Sequence, residues 1–110
     1  MSKKLPEITH VQFLILEALA DNEAAGRDVR ALLTSYGLKH SAPAFYQMMG
    51  RLEEARLVEG WYEQRAVAGQ SIKERRYRLT RTGSRAVADT RAFYEARLAA
   101  SRAARRPAHA

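Results

Sequence analysis

At 110 residues the chain holds one domain with a modest core, whose stability gains from burial on association. A composition of 46% hydrophobic and 28% charged residues excludes a disordered chain, and the absence of cysteine excludes disulfides, thiolate chemistry and cysteine-based zinc sites. The formal net charge of +7 favours a polyanionic partner, nucleic acid ahead of an anionic membrane surface.

Residues 1–8 read as an N-terminal tail. Lys3 and Lys4 have no apolar run behind them, so no signal peptide is expected. No stretch approaches the roughly 18–20 apolar residues of a transmembrane helix, so no membrane partner is expected; the lack of cysteine fits a reducing cytoplasm, the expected location. Thr9 then opens a first helix. It has capping-box spacing to Gln12, and Ile8 is placed to staple onto Phe13. Val11, Leu14, Ile15, Ala18 and Leu19 form one apolar stripe, and Asp21-Asn22-Glu23 ends it.

A second helix is predicted from Gly26 to Tyr36, burying Val29, Leu32 and Leu33 and stopped by Gly37. The third has the clearest start, with Ser41 as N-cap and Pro43 in a first turn that needs no amide donor. Phe45, Met48, Met49 and Leu52 fall on one side of it; Pro43, Tyr46, Gln47, Gly50, Arg51 and Glu54 fall on the other. A glycine at position 50 costs about 1 kcal/mol of helix stability relative to alanine, yet lets another surface approach the backbone.

Beyond Ala55-Arg56 the period changes. Residues 57–65 and 73–79 read as strands, joined by a fairly long tip over residues 66–72 with Gly69 as its turn signal. Thr80 can cap a last helix from Arg81 to Ala104. Its stripe of Ala86, Val87, Phe93, Tyr94 and Leu98 is too long for so small a domain to cover, which points to a homodimer. Residues 105–110 are expected to be a disordered basic tail.

The order helix, helix, helix, hairpin, helix defines a mostly α fold with a small β-hairpin. The expected architecture is a winged helix-turn-helix DNA-binding domain over residues 9–80, followed by a C-terminal dimerisation helix over 81–104. In such a fold the outer side of the third helix is free to enter the major groove, and the hairpin, or wing, brings cations to phosphates or the minor groove. Gln47 suits adenine and Arg51 suits guanine. Ser41, at a helix N-terminus, and Tyr46 suit phosphate. In the wing, Lys73, Arg75, Arg76, Arg78 and Arg81 are opposed in sequence only by Glu74. Strand alternation turns Arg76 and Arg78 away from Tyr77 and Leu79, which favours these two over Arg75 as backbone contacts; Lys73 joins them through its charge. The expected reading surface is therefore Ser41, Pro43, Tyr46, Gln47, Gly50, Arg51, Lys73, Arg76 and Arg78, and the expected dimer contacts are Val87, Phe93, Tyr94 and Leu98.

Over roughly residues 9–98 the sequence resembles the PadR family of bacterial transcriptional regulators, in the short form with one C-terminal helix. The resemblance is carried by Ser41-Ala42-Pro43-Ala44-Phe45-Tyr46, by Leu52-Glu53-Glu54-Ala55-Arg56-Leu57-Val58, and by Arg75-Arg76-Tyr77-Arg78-Leu79-Thr80 with Gly83. It departs at Ala55-Arg56, where the family often has a residue followed by glycine, and at the entry to the second helix. The resemblance implies homodimers joined through the last helix, repression of nearby genes and, in some members, a small aromatic effector between subunits; a two-fold dimer is in turn expected to select an inverted-repeat operator. Trp61, Tyr62, Phe93 and Tyr94 are the aromatic residues available to such a pocket, although aromatics at these places also serve packing and dimer contact.

Enzymatic readings find no support. His10, His40 and His109 have no ligand spacing, Glu53 and Glu54 point in different directions, and there is no phosphate-binding loop or nucleophile motif. No catalytic residue, metal or cofactor is expected. The rival reading is a winged-helix protein–protein interaction module using Trp61 and the wing. RNA binding is disfavoured by the lack of an exposed aromatic platform.

Overall fold

The chain, described over residues 7–105 by a computed structural model, runs α1 (His10–Ala18), β1 (Ala24–Ala25), α2 (Gly26–Ser35), α3 (Ala42–Glu54), β2 (Val58–Val67), β3 (Gln70–Leu79) and α4 (Arg81–Ala104). Except for residues 7, 8 and 105, the tails expected over 1–8 and 105–110 lie outside the described residues.

The helix starts follow from local chemistry. Thr9 and Gln12 close a full capping box on α1, and the Ser41 hydroxyl accepts from the Ala44 amide at 3.2 Å with Pro43 in the first turn of α3. After α2, Gly37 takes a positive φ of 86° and the chain turns toward α3.

The core gathers Ile15, Leu16 and Leu19 of α1, Val29 and Leu33 of α2, Phe45, Met49 and Leu52 of α3, Val58 and Tyr77 of the hairpin, and Val87 of α4. Each large side chain buried here contributes roughly 1.5–3 kcal/mol. Leu16 joins the buried face of α1, which is wider than the expected stripe. Leu32 is exposed, contrary to expectation: Val29 and Leu33 stand one turn apart and fill the inward position, which turns the residue between them outward.

The sheet differs from the expected hairpin in two ways. It has three antiparallel strands in the order β1-β3-β2, because Ala24 and Ala25 pair with Tyr77 and Arg76. The long tip is absent. Pairing of β2 with β3 continues to Val67↔Gln70, leaving a two-residue turn at Ala68 (φ 52°) and Gly69 (φ 78°). Two consecutive positive φ values are what a type I′ turn requires, and its twist matches that of the strands.

One joint fixes α4 to the rest. The Thr80 hydroxyl caps the helix by accepting from the Gly83 amide at 3.0 Å and donates to the Arg56 carbonyl at 2.6 Å, while the Thr80 amide donates to the Leu57 carbonyl at 3.1 Å. Gly83 lies so close to that carbonyl that a Cβ would stand 2.0 Å from its oxygen. The first turns of α4 pack on α1, where Arg91 pairs with Glu17. Val87 is 4% exposed and belongs to this chain's own core, so it is removed from the expected dimer contacts. Farther along, Phe93 is half-buried, Tyr94 is exposed, and Leu98 is 60% exposed.

Candidate nucleic-acid interface

Packing Phe45, Met49 and Leu52 inward leaves the opposite side of α3 in solvent. Ser41, Pro43, Tyr46, Gln47 and Arg51 are exposed along it. Gln47 and Arg51 are one turn apart and share a face. A Cβ built on Gly50 would meet nothing within 4 Å, so the backbone there lies open to an incoming surface. Arg51 pairs with no carboxylate among the described residues. Tyr46 leans its ring against Gly26 and meets Phe45 edge-on at 5.1 Å between centroids.

The wing cations have more partners than the sequence suggests, because the fold brings Glu23, Glu53, Glu59 and Glu63 to them besides Glu74. As expected from the alternation, Arg76 and Arg78 lie on the face opposite Tyr77 and Leu79. Arg76, however, is not a free outward cation. Its side chain is only 16% exposed and lies among Glu74 (3.0 Å), Glu63 (3.3 Å) and Glu23 (3.6 Å). Arg78 is exposed but forms a two-nitrogen contact with Glu59 at 3.0 and 2.7 Å, and its guanidinium covers Trp61 at 5.5 Å from the ring centre.

Glu74 anchors this outer face. Its carboxylate, 4% exposed, accepts hydrogen bonds from Arg76 and Arg65 and stands 2.9 Å from Arg27 of α2, a charge contact with no donor aligned on that oxygen. Burial alone would raise its pKa. The hydrogen bonds of Arg76 and Arg65 and the charges of Arg65 and Arg27 outweigh burial and hold it below the usual carboxylate range.

On the other face Arg75 donates to Glu53 of α3 at 2.6 Å, and its guanidinium lies over Tyr62 at 4.7 Å and Tyr77 at 5.6 Å. Burial opposes the charge on Arg75, but the Tyr77 hydroxyl and Glu53 prevail and raise its pKa. Gly60 makes room for the pair: a Cβ there would stand 2.6 Å from the Glu53 carboxylate and 2.8 Å from the guanidinium. Lys73, exposed and 5.6 Å over the Tyr62 ring, pairs with no carboxylate among the described residues. Tyr46, Glu53, Tyr62, Lys73, Arg75 and Tyr77 together line a cleft of about 470 Å³ between α3 and the wing. Sequence reasoning passed over Glu53 in this setting. The signal was present in its charge and its place on α3 directly before the hairpin, but its partner lies 22 residues away.

Within one chain the aromatic residues assigned to an effector pocket lie apart. Tyr94 lines a cavity of about 150 Å³ with Ile8, Thr9, His10, Phe13 and Thr90, and stacks near His10 at 6.1 Å. Trp61 lies under Arg78 on the wing instead, and Phe93 meets Tyr94 edge-on without lining that cavity. A cavity of this size accepts a group about as large as a benzene ring. Among the described residues there is no cluster of three or more potential metal ligands and no helix long and apolar enough to cross a membrane.

Three helices, a twisted hairpin beside the exposed face of the third, and a long terminal helix make this a winged helix-turn-helix fold. In sequence the chain matches no family model and no curated protein. In structure it is similar to a PadR family transcription regulator from Clostridium difficile, with a TM-score of 0.68 and 16% identity over 79% of this chain and 88% of that one. A PadR-like transcription factor from Bacteroides fragilis gives 0.67 and 18% over 84% and 86%. Bacillus subtilis PadR in complex with operator DNA gives 0.59 and 20% over 74% of this chain and 46% of that longer one. The fold is therefore the one found in PadR-type regulators.

Proposed function

We propose that the chain is a PadR-type transcriptional regulator, a repressor that binds a double-stranded inverted-repeat operator as a homodimer in the cytoplasm. The observation that carries this reading is the outer face of α3, where Gln47, Gly50 and Arg51 stand open beside the wing. An α-helix with such a face fits the major groove, and Gln and Arg side chains match adenine and guanine edges. The operator complex of the Bacillus subtilis protein supports the same use of the fold. Dimerisation through α4 is supported by Tyr94 and Leu98, apolar groups left in solvent on the part of the helix that runs beyond the core. The cavity beside His10 and Tyr94 is the place this reading gives to a small aromatic effector.

Selection of duplexes from a random pool by the purified protein tests the reading. The expected product is an inverted repeat with half-site centres about 10 bp, or a multiple of it, apart. Gln47→Ala and Arg51→Ala should each relax base preference at one position by about 1–3 kcal/mol. Equal loss of affinity for selected and scrambled duplexes would remove α3 as the reader.

A further inference from the structure

The cleft between α3 and the wing contains two cations that differ in availability. Arg75 is held by Glu53 at 2.6 Å and lies against two tyrosine rings. Lys73 has no carboxylate partner among the described residues; it lines the cleft with its ammonium 5.6 Å over the Tyr62 ring. Tyr46 of α3 lines the same cleft, and both residues also line a smaller pocket of about 120 Å³. In that pocket Arg27 is likewise beside a carboxylate, that of Glu74.

Resting on the DNA-binding reading above, we infer that this cleft seats one backbone phosphate between the Tyr46 hydroxyl and the Lys73 ammonium, and that Glu53 withholds Arg75 from it. Tyrosine and lysine are ordinary phosphate partners, and such contacts position a protein on DNA without carrying sequence information. Every additional free cation on the phosphates strengthens binding to all sequences alike and steepens its salt dependence. By occupying Arg75, Glu53 keeps the seat to a single free cation and so holds down the strength and salt dependence of backbone binding, for operator and non-operator duplexes alike. Gly60 is the residue that lets the pair form, since any side chain there would collide with both partners. Glu53 is thus a residue that sets affinity and salt dependence without needing to touch DNA.

The experiment measures binding of the full chain to its selected operator and to a scrambled duplex over a range of salt, with melting temperatures recorded for each variant. Glu53→Gln keeps shape and a hydrogen-bond acceptor while removing the charge. It should tighten binding to operator and scrambled duplex alike, several-fold, and steepen the log–log salt slope by about one unit per chain, about two for a dimer. The steepening should vanish in the double variant Glu53→Gln/Arg75→Gln. Lys73→Ala, at an exposed position, should make the slope shallower by about one unit per chain. A Glu53→Gln slope no steeper than wild type, or a Lys73→Ala slope equal to wild type, overturns the inference while leaving the DNA-binding reading in place. Wild-type protein without salt-dependent duplex binding overturns both.

Discussion

Two glycine-to-alanine substitutions should move stability in opposite directions. At Gly83 the new Cβ would stand 2.0 Å from the Leu57 carbonyl oxygen, so the start of α4 must retreat by about 1.4 Å to reach ordinary contact. A retreat of that size breaks the Thr80 bonds to Leu57 (3.1 Å) and Arg56 (2.6 Å), each contributing about 1 kcal/mol. Overpacking adds about 1–3 kcal/mol. The better helix propensity of alanine returns at most about 1 kcal/mol. The net loss is about 2–4 kcal/mol, or roughly 10–25 °C in Tm for a domain of this size. At Gly50 the Cβ meets nothing, so only the propensity term operates and Gly50→Ala should stabilise by about 0.5–1 kcal/mol. It should also weaken operator binding, because the new methyl group projects from the face offered to DNA. Thermal melts followed by circular dichroism, with operator titrations on the same samples, provide the readout. Tm shifts of the same sign for both variants would refute the packing argument, and a Gly83→Ala protein within about 0.5 kcal/mol of wild type would refute the rigidity of the joint.

The remaining expectations concern assembly and charge. Leu98→Glu, at a 60% exposed position, should convert the dimer to a monomer in sedimentation while leaving the helical circular dichroism signal intact; an unchanged dimer removes this part of α4 from the interface. Because the folded pKa of Glu74 lies below its unfolded value, its charge stabilises the fold above the usual carboxylate range, and that contribution is lost as pH falls through the depressed value. The gap in urea midpoint between wild type and Glu74→Gln should accordingly be widest near neutrality and close in acid; parallel profiles would contradict the assignment. Arg76→Gln should lower Tm while leaving the salt slope of DNA binding nearly unchanged, since its guanidinium lies among carboxylates. A loss of slope without loss of stability would return it to the DNA.

What the sequence made legible was local. The Thr9–Gln12 box and the Ser41 cap are decided within four residues, and the structure places α1 and α3 where those signals put them. Residues whose state depends on distant partners were not legible. Ala24-Ala25 has no strand signature and becomes β1 only by pairing with Tyr77 and Arg76. The tip of the wing carries Ala-Gly in place of the usual Asn-Gly, so continuous pairing to Val67↔Gln70 was hidden. Alternation put Arg76 on the right face, but could not show that Glu63 and Glu23 arrive there from β2 and from the segment before β1. The adjacency of Leu32 and Leu33 left open which would point inward, and Val87 looked like surface stripe until the hairpin and α1 were packed against it.

The joint at Thr80 has a mechanical consequence. The 24 residues of α4 span about 36 Å; its first half is held to the reading module by the Thr80 joint, by Val87 in the core and by the Arg91–Glu17 pair, and its second half runs free of them. In a dimer clasped through the far end of α4, the helix is a lever whose fulcrum sits at the foot of the wing. A tilt of about 10° at the fulcrum displaces the reading module by roughly 6 Å relative to the clasp, close to two base-pair steps along the duplex. Anything that wedges between α1 and α4 near His10 and Tyr94 presses on the arm of that lever about 21 Å from the fulcrum, so a push of about 1 Å there shifts the reading module by roughly 2 Å relative to the clasp and strains the match to the half-site spacing.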